Sequence, residues 1–399
     1  MRCHRILSGV FRLSRWFSIQ LGPSSLCVVI LMSMLFPLQF LWLREWLPNN
    51  LDFRAGLFSK PRPRVAFLKT HKTGSSALTN LLIRYGIREK MNFVIPPLSD
   101  GDGIYQSGRP FRVQDLQLSP WHNLYVKEQK YDIFAMHAIW NYSAFRDLMG
   151  PDCFFLTSLR KPWEQFESRF HEYPFHTDNI SEFLAQFIDD VPHPDVGHLE
   201  KAPWNQQAYD LGMPYPDSLT PDLIQEHIKE LDKQFDLVMI QNWMNHSLVL
   251  LADRLGIDLS QATLSPIRKR RDSKRIILSQ RELDFLSTVQ VADNLLYNHF
   301  TNRLNLEIKA FGFMKMEESV KYLEHLTNRL METCTKKSWP LIKKKVSLTE
   351  NRPVVFDCPK YWYVSYKFYP IMFENLMDKW KVIEGSMVNA SSDQRIKVE

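Results

Sequence analysis

The chain has 399 residues, 45% of them hydrophobic and 13% aromatic, which is enough apolar mass for a large core and excludes a disordered chain. Its formal charge is +6, but Arg2, Arg5, Arg12 and Arg15 carry four of those charges within the first 43 residues, where no acid occurs. The rest is close to neutral, so the charge balance implies no nucleic-acid partner.

In chain order, residues 1–16 read as a basic tail and 17–43 as an uncleaved membrane anchor. Leu26 to Leu43 runs without a charge, and about twenty apolar residues span a bilayer. Four arginines precede the stretch and Arg44-Glu45 follows it without net charge, which puts the N-terminus in the cytosol and the body across the membrane. A cleaved signal peptide is the competing reading, but Leu43-Arg44-Glu45-Trp46 is a poor cleavage site. Residues 44–63 form a short stem ending Lys60-Pro61-Arg62-Pro63.

From 64 to 335 the pattern is that of one folded domain. Four short apolar runs, RVAFLKT (64–70), YDIFAMHA (131–138), CFFLTSL (153–159) and DLVMIQ (236–241), are each followed by a helical stretch. Alternation of this kind predicts an α/β fold with a mostly parallel central sheet covered on both faces. Ser218 or Thr220 with Pro221 marks a helix start, and 275–335 reads as helices with charged faces. Residues 336–399 are a C-terminal extension of mixed lysines and aromatics with a polar tail. Sequons stand at Asn141, Asn179, Asn245 and Asn389, as a lumenal protein requires for glycosylation. Cys153, in an apolar run, reads as a buried thiol, and Cys334 and Cys358 could bridge a C-terminal loop.

Two segments carry chemistry. The first is Lys69-Thr70-His71-Lys72-Thr73-Gly74-Ser75-Ser76, between a strand and a helix. Such a junction presents free backbone N–H groups and the positive end of a helix dipole, which suits a phosphate or sulfate. Gly74 allows close approach of the backbone, Ser75 and Ser76 could cap the helix or donate to anionic oxygens, and Lys72 adds a mobile charge. The order differs from a Walker loop because Lys72 precedes the glycine, which argues against a nucleotide triphosphatase. The second is Arg160-Lys161-Pro162 with Ser168 two turns further on, again where a strand enters a helix. A guanidinium and a hydroxyl there can grip a second phosphate.

Together these segments resemble the two elements with which sulfotransferases bind 3′-phosphoadenosine 5′-phosphosulfate (PAPS). FLKTHKTGSSALTNLLIRYG (67–86), FESRFHEY (166–173), LVMIQNWMNHSLVLLADRLG (237–256) and RRDS (270–273) narrow the resemblance to the galactose 3-O-sulfotransferases, including the galactosylceramide sulfotransferase group. Members of that family usually carry Arg-Asp-Pro where this chain has Arg160-Lys161-Pro162. The resemblance implies a P-loop-like sulfotransferase fold and sulfuryl transfer from PAPS to the 3-OH of galactose on a glycolipid or glycoprotein glycan. It further implies a single-pass type II protein of the Golgi membrane with a lumenal catalytic domain, and it admits a homodimer.

On this reading Lys72 is catalytic, His71 and Thr73 to Ser76 cradle the phosphosulfate with it, and Arg160 and Ser168 hold the 3′-phosphate. Arg270 and Arg271 would close over the nucleotide or meet an acidic substrate. His137 is the expected base, at the carboxyl end of a strand where open α/β sheets place ligands; in the related uronosyl 2-O-sulfotransferases a similarly placed histidine is the implied base. His71 is its rival, His171 and His176 could line the acceptor site, and Trp163, Trp204 and Trp243 could stack on sugar or adenine. No metal is expected. The alternative class is a Golgi metal-dependent glycosyltransferase, whose Asp-x-Asp mark is met by Asp100-Gly101-Asp102, within a turn-rich segment.

Overall fold

The computed structural model describes residues 63–95, 109–116, 131–172, 177, 179–188, 204–214, 216–264, 276–334, 343–349, 352–362, 368, 371, 372 and 374. The expected anchor, the Asp100-Gly101-Asp102 segment, Arg270, Arg271, His176 and Asn389 lie outside them. Among the described residues no helix is long and apolar enough to cross a membrane.

All four apolar runs form strands: β1 (Val65–Leu68), β2 (Ile133–Met136), β3 (Phe154–Leu159) and β4 (Leu237–Ile240). They pair in parallel in the order β2-β1-β3-β4. Every residue of β1 and β4 is buried, which is why these strands read as continuous apolar runs rather than alternating ones. Because the chain steps from β1 outward to β2 and then back across to β3, the carboxyl ends of β1 and β3 form the point where the connections diverge to opposite sides. In open α/β sheets that crevice is the ligand site.

The helices follow local signals. α1 (Ser75–Arg88) buries Leu78, Leu81, Leu82 and Tyr85 on one stripe. α2 (Tyr142–Met149) begins at Asn141, whose side chain accepts from the Ala144 amide. α3 (Pro162–Phe170) has its proline at the first turn, and α4 (Ile180–Ile188) packs nearby. α5 (Gln206–Asp210) is one turn of helix. α6 (Pro221–Gln234) is capped by Thr220 rather than Ser218. α7 (Met244–Leu255), α8 (Gln280–Val289), α9 (Val291–Phe311) and α10 (Phe313–Thr333) complete the domain.

The main core wraps the sheet, with Trp140 stacked between Phe145 and Phe235 at 4.6 and 4.4 Å and its indole N–H donated to Gln234 at 2.8 Å. A second apolar cluster joins α3, α4 and α8 around Phe166, Phe170 and Phe183. Trp163 and Trp204 pack there; Trp243, in the turn after β4, is exposed.

The extension contains an antiparallel hairpin, β5 (Lys343–Thr349) with β6 (Arg352–Asp357), and a short helix α11 (Cys358–Trp362). Cys334 and Cys358 are joined by a disulfide, and Cys153 is a free buried thiol, both as the cysteine pattern predicts. α11 sits on α1: the Arg84 guanidinium lies 3.9 Å from the Tyr361 ring centre and donates to the Thr263 carbonyl at 2.8 Å, while the Asn80 amide donates to the Lys360 carbonyl at 2.8 Å.

Candidate active site

The loop from Lys69 to Ser76 leaves the carboxyl end of β1 and enters α1. Two of its residues are left-handed: Gly74 at φ 81°, which is the N-cap, and Lys72 at φ 62°, unusual for a side chain branching from Cβ-bearing backbone. Of the two roles the sequence offers Ser75 and Ser76, capping is not the one taken: the N-cap is Gly74 and makes no side-chain bond. The Thr73 and Ser75 hydroxyls turn inward. Thr73 Oγ1 contacts Thr70 Oγ1 at 2.9 Å and Ser158 Oγ at 2.8 Å, and Ser75 Oγ donates to the Thr70 carbonyl at 2.7 Å. Thr73 and Ser75 therefore brace the turn from below, and what the loop presents outward is backbone around exposed Gly74. The Lys72 ammonium pairs with Glu172 at the end of α3.

The turn after β3 lies beside it. Arg160 Nη1 points to the Lys72 carbonyl at 3.4 Å and Nε to Glu164 at 3.3 Å, so the two basic segments, 88 residues apart in the chain, meet at one sheet edge. The Arg160 backbone is held on both sides by one amide: its N–H donates to Gln207 Oε1 at 2.8 Å and its carbonyl accepts from Gln207 Nε2 at 3.0 Å. Ser168 lies half-buried on α3. Asn242, after β4, donates to Glu164 at 3.3 Å, and Tyr297 reaches Asn242 at 3.5 Å; burial is the first cause raising the Tyr297 hydroxyl above its ordinary range.

His137 follows β2. Its Nδ1 lies 2.7 Å from the Lys69 carbonyl, and because a carbonyl only accepts, Nδ1 carries the proton and Nε2 of the neutral ring holds the lone pair. The His71 ring stacks on it, centroids 4.2 Å apart and planes within 18°. His71 is itself held by Asp210 through both its backbone N–H at 2.8 Å and its Nδ1 at 2.9 Å. Asp210 shares α5 with Gln207, and the start of that short helix is capped by the Asp293 carboxylate of α9, which accepts from the Ala208 N–H at 2.7 Å and the Gln207 N–H at 3.2 Å. Burial pushes the Asp293 carboxyl up to about 7, against the pull of those N–H bonds, with nearby Asp210 adding to the rise.

A model of the galactose-3-O-sulfotransferase family matches residues 33–354, well over half of the chain. The chain belongs to the galactose-3-O-sulfotransferase family. Human galactosylceramide sulfotransferase is 33% identical over 290 residues, a stretch covering 69% of this chain and 64% of that protein. Mouse galactose-3-O-sulfotransferase 3 is 28% identical over 305 residues, covering 73% and 68%. Human galactose-3-O-sulfotransferase 2 is 25% identical over 320 residues, covering 76% and 77%. The chain thus spans just under two thirds of the length of the human galactosylceramide sulfotransferase it matches.

Within this galactose-3-O-sulfotransferase fold, Lys72, Gly74, Arg160, His71 and His137 are gathered at the carboxyl edge of β2, β1 and β3. Asp210, Gln207, Glu164 and Glu172 stand among them and were not singled out from sequence: Asp210 and Gln207 fall in no motif, and Glu164 and Glu172 lie inside the Arg160–Ser168 and FESRFHEY segments without a role of their own there. His171 is exposed at the end of α3. The described sequon asparagines differ in their surroundings. The Asn141 amide donates to the Phe111 carbonyl at 2.9 Å, the Asn245 amide donates to Glu324 at 2.9 Å, and Asn179 is exposed where the chain enters α4. Ser247 of the Asn245 sequon is buried and bonds the Ile240 amide at 3.1 Å. Among the described residues no group of three or more His, Cys, Asp or Glu side chains is placed to hold a metal ion.

Proposed function

We propose that the chain is a PAPS-dependent sulfotransferase acting on the 3-OH of a galactose residue on a glycolipid or glycoprotein glycan. The observation that carries this reading is the meeting of the Lys72 loop and the Arg160 turn at one sheet edge in a member of this family. The donor set fits a nucleotide with two anionic ends. It offers one ammonium, one guanidinium, and a helix N-terminus without a side-chain cap, at a glycine where an added Cβ meets nothing closer than 3.5 Å.

Lys72 and the backbone amides from Thr73 to Ser76 would hold the phosphosulfate end, and Arg160 with Ser168 the 3′-phosphate. PAPS when bound supplies the sulfuryl group. The protein's own share is positioning and charge: Lys72 exchanges Glu172 for an anionic oxygen, and Arg160 stays aimed by Gln207. His137 takes the acceptor's proton at Nε2, and His71 serves to hold the loop and the neighbouring ring rather than to bind the cofactor with its side chain. We read the chain further as a single-pass type II Golgi membrane protein with this domain lumenal, on the strength of the apolar stretch and arginine flank of residues 1–43.

The test is a melting comparison followed by an assay. The desulfated nucleotide PAP should raise the melting temperature of the protein without added metal. Galactose-terminated acceptors, galactosylceramide and N-acetyllactosamine among them, should gain a 3-O-sulfate when PAPS is supplied. Protection by a nucleotide sugar with manganese but not by PAP, with activity lost to EDTA, would sink this reading in favour of a glycosyltransferase.

A further inference from the structure

Asp210 closes α5 with its side chain 1% exposed. A buried carboxylate is costly to keep unless it is well paired, and this one has donors on both oxygens. The backbone N–H of His71 bonds Oδ2 at 2.8 Å, and the Nε2 amide of Gln206 bonds Oδ1 at 2.7 Å. His71 Nδ1 reaches both oxygens, at 3.0 and 2.9 Å. Holding the loop in place needs only the backbone bond, together with the bond from Gln165 Nε2 to the His71 carbonyl at 3.0 Å. The contact to the ring does something more. A carboxylate only accepts, so it fixes the proton of the neutral ring on Nδ1 and the lone pair on Nε2. The Lys69 carbonyl imposes the same arrangement on His137 at 2.7 Å. Two rings in flat stacking contact, 4.2 Å between centroids, are thus set to one tautomer by two different elements.

We propose that Asp210 is a positioning residue for the acceptor side of the transfer. Through His71 it fixes the plane and tautomer of the ring against which His137 stacks, so that His137 meets the sugar hydroxyl with Nε2 free of its proton. It acts through the two imidazoles. Its neighbour Gln207 on the same turn of helix serves the other half of the site, through the Arg160 backbone. α5 is therefore a strut on which two residues three positions apart divide the work: Asp210 bears on turnover and Gln207 on nucleotide affinity. This rests on the reading of the chain as a PAPS-dependent transferase.

The test is a double-mutant cycle on the full-length chain purified in detergent, with PAPS and a galactose acceptor. Asp210→Asn turns an amide toward Nδ1 and favours the opposite tautomer. It should lower kcat by about 10²–10⁴-fold, the range general-base assistance spans, and leave the KM for PAPS within about threefold, since none of its described contacts is to the cofactor ligands Lys72 or Arg160. In a His71→Ala background the same change should produce no further loss of kcat, because the ring through which it acts is gone. Gln207→Ala should do the reverse, raising the KM for PAPS more than it lowers kcat. If wild type transfers sulfate but Asp210→Asn loses the same factor with and without His71, or raises KM as much as it lowers kcat, Asp210 is merely structural and the proposal fails. Wild type that transfers no sulfate from PAPS overturns the functional reading, and this proposal with it. Should Asp210→Asn not fold, ¹⁵N–¹H spectra of the wild-type histidines at a pH where both rings are neutral decide the matter: Nδ1–H at His71 supports it, and Nε2–H at His71 overturns it.

Discussion

Lys72 keeps a side chain at a backbone angle, φ 62°, that costs an L-residue roughly 1–2 kcal/mol relative to glycine. Strain held at a residue so placed is what a site retains for function. Lys72→Gly should therefore relax the turn and leave the melting temperature level or slightly higher, while removing the charge proposed to act in turnover. Its kcat/KM should fall by several kcal/mol of transition-state stabilisation, as should that of Lys72→Ala. A Lys72→Gly protein with near wild-type turnover would show that the ammonium is aimed elsewhere. Arg160→Ala, by contrast, should chiefly raise the KM for PAPS, since the phosphate it is proposed to grip does not react; steady-state kinetics at varied PAPS checks this. His137→Ala should lower kcat by about 10²–10⁴-fold and leave PAP affinity nearly intact, as measured by calorimetry. The place of His137 at the carboxyl end of β2 was legible from the end of YDIFAMH. Its stacking on His71, and the hold of Asp210 on that ring from 139 residues further along the chain, were not, because these groups meet only at the folded sheet edge.

At the scale of elements, the sheet and α1 are matched at one glycine. A Cβ on Gly86 would lie 2.5 Å from Phe93 Cζ and 2.9 Å from Ile133 Cγ1, both buried in the main core. Gly86→Ala should then destabilise the fold by about 1–3 kcal/mol despite alanine's higher helix propensity, because the core must shift to admit the methyl group. Gly74→Ala meets only ordinary contacts, at 3.5 Å and beyond, so its cost is the left-handed backbone alone, roughly 1–2 kcal/mol. Urea melts of the two variants measure both. The four strands and the helix starts at Ser75, Pro162 and Pro221 were readable because apolar runs, prolines and caps are local signals. α5 was not, since one turn of helix buried between two loops has no periodicity to display.

Across the whole molecule, Asp293 ties stability to pH. Its carboxyl is pushed up to about 7 from an unfolded value of 3.8, with burial as the main cause, so between those values the folded chain binds a proton that the unfolded chain has released. Its contribution to stability is fully present below about 4 and is lost as pH rises through about 7. Asp293→Asn lacks this titration. The stability of wild type relative to Asp293→Asn should therefore be greatest near pH 4 and shrink on raising the pH to 8, by an amount on the order of a few kcal/mol. Chemical denaturation of both proteins at several pH values checks it, and a difference that stays constant would place the titration elsewhere. The α11 helix adds a second long-range tie, held to α10 by the Cys334–Cys358 bridge and to α1 by Arg84 and Tyr361.

The amino-acid sequence by itself determined the α/β alternation, the placement of both basic turns and the family. These depend on patterns within ten or twenty residues, where periodicity, capping and loop chemistry act. Only the tertiary structure decided which polar groups face the site and which support it. The Thr73 and Ser75 hydroxyls turn inward to Thr70 and Ser158. Asp210 and Gln207, on one short helix without a motif, hold the two halves of the candidate site. A side chain's direction at a loop is set by which partner satisfies it, and a buried polar group takes the nearest partner that folding delivers, however far away it lies in the chain.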